Sequence, residues 1–138
     1  MLDQTTAPQV RDGVAAALTL QVTATEAATI VTVRGEIDLT VTGRLRSRLA
    51  EETGLAPRAL VLDLTEVGFC GACGITELLV AASEAHVSGV PFAIAAGQRA
   101  VLRPIAILGL ERVLPIHRSL ADALDWLALL PRLATRRR

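Results

Sequence analysis

Alternating apolar and polar residues mark the first two predicted strands of the chain. Over Leu18–Thr25 every second residue is apolar, which predicts a strand with one buried face and one wet face. A second strand is predicted over Ile30–Val33 and is expected to end at Gly35. Only Glu26–Ala28 separates the two strands, and so short a link favours an antiparallel hairpin.

The spacing of the apolar residues then changes to that of a helix. Val41, Leu45 and Leu49 fall four residues apart and predict a helix over Leu39–Thr53 with these side chains buried. The next segment, Ala59–Leu64, is apolar on almost every position of both faces. Such a strand usually lies inside a parallel sheet that is covered by helices.

The rest of the chain alternates between helix and strand. The predicted elements are a helix from Ile75 to Gly89, a strand over Phe92–Ala96, a helix within Gly97–Leu110 and an edge strand over Val113–Ile116. Pro104 is expected to kink or shorten its helix because it removes a backbone hydrogen bond. Ser119 and Asp122 have the spacing of a capping box, which predicts that a last helix begins there.

This order of elements predicts an α/β fold, with one mixed sheet of four to five strands and about four helices packed against it. The 138 residues fit a single domain, which is predicted to span residues 16–130. Residues 1–15 show no clear period and are expected to form a flexible N-terminal arm. Residues 131–138 are rich in arginine and are expected to form a basic, disordered tail.

Composition and charge narrow the classes of function. The formal net charge is +0 and the chain has no tyrosine, which argues against a nucleic-acid partner. No apolar run approaches the roughly 20 residues that span a bilayer, so we expect a cytoplasmic protein without membrane insertion. The two cysteines are then expected to be reduced thiols. Phosphate-binding glycine motifs and a serine-hydrolase motif are missing from the sequence, and neither catalysis nor a cofactor is predicted.

The stretch Ala59–Ala82 carries the candidate chemistry. A predicted strand leads there into a helix through the small residues Cys70–Gly74. Small side chains leave the N–H groups of a helix N-terminus accessible, so such a turn can hold an anion, a phosphorylated side chain or a reactive thiol. It can equally be a tight turn that lets the helix and the strand pack closely.

The two cysteines of this stretch raise a redox hypothesis. Cys70 and Cys73 form a C-x-x-C motif, and a helix N-terminus makes a thiolate easier to form. The nearby carboxylates of Glu66 and Glu77 argue against this hypothesis because they oppose a second negative charge. Together with the two histidines of the chain, the cysteines show no recognised zinc-ligand spacing, and no metal site is predicted.

Several sequence anchors occur in an order that resembles a STAS domain, the family of bacterial anti-sigma factor antagonists. In chain order the anchors are Gly35-Glu36-Ile37-Asp38, Leu45–Leu49, Leu60–Phe69, Gly74-Ile75, Leu108-Gly109-Leu110 and Leu114-Pro115-Ile116. The resemblance extends over about Leu18–Leu130. It implies the STAS fold, also called SpoIIAA-like.

The switch loop of this family usually reads F, hydrophobic, D, S, S/T, G, and Phe69 and Gly74 fix its register here. Between them, Cys70 takes the hydrophobic place, Gly71 that of the aspartate, Ala72 that of the phosphorylated serine and Cys73 that of the second hydroxyl residue. In such antagonists an anti-sigma kinase phosphorylates the serine, and the unphosphorylated form binds the anti-sigma factor. Because Ala72 has no hydroxyl group, the resemblance implies binding without this phosphoswitch.

The function implied by the resemblance is regulatory and not enzymatic. The implied partner is an anti-sigma factor that is a serine kinase of the GHKL type. It is expected to contact the loops at Gly35–Thr40 and Phe69–Gly74 and the helix that follows. The implied contact residues outside the switch loop are Glu36, Asp38, Thr40, Ile75, Thr76 and Leu79.

Two alternative functions stay open at this point. In the first, the chain is a scaffold subunit of a larger complex, stressosome-like or accessory to lipid transport, and associates with itself or with other STAS proteins. In the second, Cys70 and Cys73 make the chain a thiol redox protein.

Overall fold

The computed structural model describes the chain from residue 18 to residue 136, with side chains up to residue 130. Five strands lie within this range: β1 (Leu18–Ala24), β2 (Thr29–Ile37), β3 (Leu60–Cys70), β4 (Phe92–Ala95) and β5 (Ile116–His117). The four helices of the same range are α1 (Thr42–Gly54), α2 (Ala72–Val87), α3 (Arg99–Ile107) and α4 (Leu120–Arg136). The predicted N-terminal arm, residues 1–15, lies outside the described residues.

The strands form one mixed sheet in the order β1-β2-β3-β4-β5. β1 and β2 pair antiparallel, with Leu18 opposite Gly35, which confirms the predicted hairpin. The hydroxyl of Thr25 donates to the carbonyl of Ala28 at 2.9 Å and accepts a hydrogen bond from its N–H at 3.1 Å, which closes the turn. The other neighbouring strands pair in parallel. β2, β3 and β4 therefore end at the same edge of the sheet, here named the C-terminal edge.

Helices cover the two faces of the sheet unequally. Leu60 and Leu62 of β3 are buried in a core that also contains the apolar stripes of α1, α2 and α3. Val61, on the opposite face of β3, belongs to a smaller core that Leu127 of α4 helps to close. Because successive side chains of a strand point to opposite faces, burial on both faces explains why this segment is apolar throughout.

The two central strands are longer than predicted. β2 does not end at Gly35 but continues to Ile37, and β3 continues past Leu64 to Cys70. Gly35 has a φ of 110°, which glycine adopts without strain, and the register between the strands shifts just after it. Such irregularities interrupt the alternation of apolar and polar residues, so the sequence pattern ends before the strands do.

The first two helices begin at other residues than predicted. α1 begins at Thr42 and not at Leu39, because residues 38–41 form a turn. α2 begins at Ala72 and not at Ile75. Three of the small residues that the sequence pattern assigns to a loop, Ala72–Gly74, are therefore the first residues of α2.

The segment Gly97–Leu110, in which the sequence predicts a helix, contains the single helix α3. α3 retains Pro104 in its interior. The helix tolerates the hydrogen bond lost at the proline because Val101 and Ile105, on its inner face, are 0% and 1% exposed. The edge strand β5 is shorter and later than the predicted strand over 113–116, since only Ile116 and His117 pair with β4.

The last helix, α4, begins with the predicted cap. The hydroxyl of Ser119 accepts a hydrogen bond from the N–H of Asp122 at 3.0 Å. The helix continues through Pro131 to Arg136, whereas the sequence predicts a disordered tail over residues 131–138. Leucine, alanine and arginine in this segment are strong helix formers. None of the helices in residues 18–136, α4 included, has the length and apolar character that crossing a membrane requires.

One bidentate ion pair joins α1 to α2. The guanidinium of Arg46 donates two hydrogen bonds to the carboxylate of Glu77, each at 2.7 Å. These hydrogen bonds, followed by the charge of Glu77, raise the pKa of Arg46 above its ordinary value. Glu77 is only 7% exposed, so the pair holds α2 at a defined position beside α1.

Candidate functional site

The ends of β2 and β3 bring the two predicted contact loops together at the C-terminal edge. Glu36 lies opposite Phe69, and Ile37 lies opposite Cys70. The N–H of Gly71 donates to the carbonyl of Ile37 at 3.0 Å, which extends the pairing by one residue past the end of β3. We name the exposed and half-buried residues of the segments 36–40 and 69–73, together with Thr76, the strand-end surface.

A single residue, Gly71, connects β3 to α2. The predicted loop over Cys70–Gly74 is therefore absent, since Cys70 ends the strand and Ala72 begins the helix. Gly71 has a φ of −78° and a ψ of 175°, and no side chain caps the helix. Aspartate is among the best capping residues. With Gly71 as its N-cap, the first turn of α2 has neither a side-chain cap nor an acidic residue.

The start of α2 leaves two hydrogen-bond donors unused. The N–H groups of Gly74 and Ile75 both donate to the carbonyl of Gly71, at 2.9 and 3.1 Å. The N–H groups of Ala72 and Cys73 make no hydrogen bond within the described part of the chain. Because the positive end of the helix dipole lies at the same place, the start of α2 favours an acceptor or a negative charge from outside.

Ala72 occupies the first helical position and is exposed. Its side chain is a methyl group and offers no oxygen for phosphorylation. Thr76 is also exposed, and its hydroxyl donates to the carbonyl of Ala72 at 3.2 Å. The nearest hydroxyl on α2 is therefore one helical turn beyond Ala72.

Close packing explains the glycine that follows. A Cβ atom on Gly74 would lie 2.7 Å from Cγ2 of Ile37 and 3.0 Å from Sγ of Cys70. Only glycine allows α2 to approach the ends of β2 and β3 this closely. The predicted alternative, a turn that lets the helix and the strand pack together, is thus part of the geometry of the site.

Asp38 shapes the neighbouring turn between β2 and α1. Its carboxylate accepts a hydrogen bond from the N–H of Thr40 at 3.0 Å and another from the Thr40 hydroxyl at 2.6 Å. This turn holds Leu39 with 76% of its surface exposed, and Glu36 and Thr40 are exposed beside it. Sequence reasoning missed Leu39 because it placed this residue in a helix. The signal available was the D-x-T spacing, which is typical of a side-chain-stabilised turn.

Phe69 adds a second exposed apolar side chain to the strand-end surface, at 48% exposure. Single exposed apolar residues are common. A phenylalanine and a leucine on one small surface, next to unused backbone donors, are more typical of a surface that a partner covers.

Two predicted contact residues lie elsewhere. Ile75 is 1% exposed and packs in the core below α2, so its side chain supports the strand-end surface from beneath and does not reach a partner in this structure. Leu79 is half-buried and lines a separate groove together with His86 and Trp126. Of the predicted contacts on α2, Thr76 alone belongs to the strand-end surface.

The two cysteines differ in their surroundings. Cys70 is 2% exposed and Cys73 is half-buried. Burial, followed by the proximity of Cys73, raises the pKa of the Cys70 thiol to about 11. Because the thiolate is the reactive form, these surroundings weigh against the redox hypothesis. Within residues 18–136 no three metal-ligating side chains cluster together.

Comparison with known proteins decides the family. A family model described as the STAS domain matches residues 19–123. The chain belongs to the STAS family. Over 95 residues this STAS protein is 35% identical to the anti-sigma-F factor antagonist RsfB of Mycobacterium tuberculosis, and the match covers 69% of this chain and 77% of RsfB.

Solved structures agree with the assignment to the STAS family. A crystal structure of an anti-sigma factor antagonist from Mycobacterium paratuberculosis is 30% identical, has a TM-score of 0.75 and is matched over 80% of this chain and 94% of its own. SpoIIAA of Bacillus in its unphosphorylated form has a TM-score of 0.66 at 14% identity, over 80% of this chain and 96% of its own. The latter likeness concerns the fold alone. The predicted STAS (SpoIIAA-like) fold is confirmed.

Proposed function

We propose that this STAS protein is an anti-sigma factor antagonist that binds an anti-sigma factor through its strand-end surface. The observation that carries the proposal is a 35% identical relative named as an anti-sigma-F factor antagonist. The exposed Phe69 and Leu39, beside the unused N–H groups at the start of α2, support the choice of surface. The finer expectation that the partner is a serine kinase of the GHKL type rests on the family resemblance.

The same proposal includes binding that phosphorylation at position 72 does not control. A phosphate would add nearly two negative charges and three acceptor oxygens at the start of α2. Ala72 cannot carry a phosphate, so the N–H groups of Ala72 and Cys73 stay available to an acceptor group of the partner. The affinity should therefore be the same before and after incubation with ATP.

Binding can be tested by titration calorimetry with purified anti-sigma factors of the same organism. We expect one of them to bind, and we expect Phe69→Ala to weaken this binding at least about tenfold, as for a buried aromatic contact in an interface. Leu129→Ala is the matched control, because Leu129 is 51% exposed but lies on α4. No binding to any of these anti-sigma factors, or equal effects of the two substitutions, would contradict the proposal.

Phosphorylation can be tested by incubating the chain with the bound anti-sigma factor and ATP, followed by intact-mass spectrometry. We expect no phosphate on the natural chain. Ala72→Ser, which restores a hydroxyl at the first helical position, should accept one phosphate if the partner is a kinase, and should then lose binding. Phosphate on Thr76 or Thr40 of the natural chain, with loss of binding, would refute the proposal that phosphorylation does not control binding.

A further inference from the structure

β3 extends further than its neighbour β4 at the C-terminal edge. The two strands pair only from Leu60, opposite Phe92, to Asp63, opposite Ala95. β3 continues to Cys70 without β4 beside it. The carbonyl groups of β3 that follow Asp63 on this side therefore need hydrogen-bond donors that a neighbouring strand does not supply.

The side-chain amide of Gln98 supplies these partners. Its Nε2 donates to the carbonyl of Leu64 at 2.6 Å and to the carbonyl of Val67 at 2.8 Å. Its Oε1 accepts a hydrogen bond from the N–H of Gly97 at 3.0 Å. An amide nitrogen has two hydrogens, so both donors of Gln98 are used on β3.

The two carbonyls enclose an irregularity of β3. Thr32 of β2 lies opposite Asp63, but Arg34, two residues later, lies opposite Glu66, three residues later. An extra residue in one strand bends that strand and increases its twist. The amide thus holds Leu64 and Val67, at the two ends of the segment that contains this first shift. A second shift follows between Val67, opposite Gly35, and Phe69, opposite Glu36.

The position of Gln98 is itself held by the backbone around it. A Cβ atom on Gly97 would lie 2.8 Å from the carbonyl oxygen of Arg118, so the loop packs tightly against the segment that leads into α4. Gln98 is the N-cap residue of α3, but its side chain makes no cap hydrogen bond there. A substitution of this side chain therefore leaves the capping of α3 unchanged.

We propose that Gln98 is a positioning residue for the strand-end surface. Its amide takes the place of a neighbouring strand beside the last part of β3 and fixes the bend that presents Phe69. The effect on partner binding rests on the proposed function, whereas the effect on β3 is a property of the free chain.

Amide hydrogen exchange of the free chain, followed by mass spectrometry, tests the positioning role. Gln98→Met keeps a similar length but has no donor. We expect exchange of the segment 65–71 to become at least about tenfold faster, as the loss of two hydrogen bonds to buried carbonyls would cause, while the segment 60–63 changes less. Leu127→Ala, in the separate core under α4, is the matched control and should speed exchange along β3 without preference for 65–71.

Titration of the same variants with the anti-sigma factor supplies a second readout. Gln98→Met should weaken binding about tenfold at a temperature where the variant is folded, whereas the Kd of Leu127→Ala should stay that of the natural chain. If exchange rises equally along β3 in both variants, the positioning role is wrong whatever the binding result. If the segment 65–71 loosens but the Kd of Gln98→Met does not change, the role of Gln98 in presenting Phe69 is wrong. A natural chain that binds no anti-sigma factor refutes the proposed function and leaves the local loosening as the test of Gln98.

Discussion

Replacing Gly74 by alanine tests how closely α2 packs against the ends of β2 and β3. The new Cβ would lie 2.7 Å from Cγ2 of Ile37 and 3.0 Å from Sγ of Cys70, whereas carbon atoms in contact prefer about 3.5–4.0 Å. Overpacking of this kind costs about 1–3 kcal/mol. Alanine regains up to roughly 1 kcal/mol over glycine in a helix. Both neighbours are buried and cannot both move away, so we expect Gly74→Ala to lower the free energy of unfolding by about 1–2 kcal/mol.

Equilibrium denaturation in urea measures this difference, and the melting temperature should fall by roughly 3–10 °C. Gly43→Ala is the matched control. Gly43 also lies in the first turn of a helix, but a Cβ there would meet no atom within 4 Å, so this variant should be as stable as the natural chain or more stable. Adding Cys70→Ala to Gly74→Ala should recover part of the loss, because it removes one of the two clashes. If Gly74→Ala proves as stable as Gly43→Ala, the close approach of α2 to β2 is wrong.

Three further predictions concern charge and ionisation. The pKa of Cys70 is raised from 9.0 to about 11, and the chain has neither lysine nor tyrosine to titrate in the same range. Because the thiol ionises more easily in the unfolded chain, the free energy of unfolding should be constant up to about pH 9 and fall by up to roughly 2–3 kcal/mol toward pH 11. Cys70→Ala should reduce this fall, and a flat profile of the natural chain would contradict the prediction. Arg46→Ala should lower the melting temperature more than Glu77→Gln does, because the first leaves a carboxylate with a 9% exposed side chain unpaired, whereas the second leaves a 55% exposed guanidinium that water can reach. Arg48→Ala, which breaks only an exposed pair at 3.6 Å, is the control. A larger loss for Glu77→Gln than for Arg46→Ala would refute this reasoning. Gly71→Asp should raise the free energy of unfolding by a few tenths, about 0.3–0.5 kcal/mol, by capping α2, and a loss of more than about 1 kcal/mol in urea denaturation would show that an aspartate does not fit there.

The sequence predicts those parts of the fold in which one pattern acts alone. Val41, Leu45 and Leu49 were expected to form the buried stripe of a helix, and they are 2%, 0% and 2% exposed. The hairpin of β1 and β2 and the burial of β3 on both faces follow from equally simple patterns. In each case the residues that are buried in the sheet or against it are the same ones that the local spacing of apolar residues marks.

The parts that were not predicted depend on contacts between distant segments. The end of β3 is set by its pairing with β2 past the bend at Gly35, and Gln98 acts on carbonyls more than thirty residues away in the chain. Ile75 is a different case. Its helical spacing already placed it on the apolar face, and only the family resemblance placed it at the partner surface, because a motif marks a position and not the direction of a side chain.

The topology also separates the two ends of the fold. Leu18 lies opposite Gly35, and its carbonyl accepts a hydrogen bond from Arg44 at 3.2 Å, so the chain enters β1 next to the strand-end surface. Leu130 of α4 instead lines a cavity with Ala59 and Pro91, which immediately precede β3 and β4 at the opposite edge of the sheet. A bulky protein fused ahead of β1 would therefore crowd the partner surface, whereas one fused after α4 would leave it open. In an engineered fusion, the strand-end surface therefore stays accessible when the added protein follows α4.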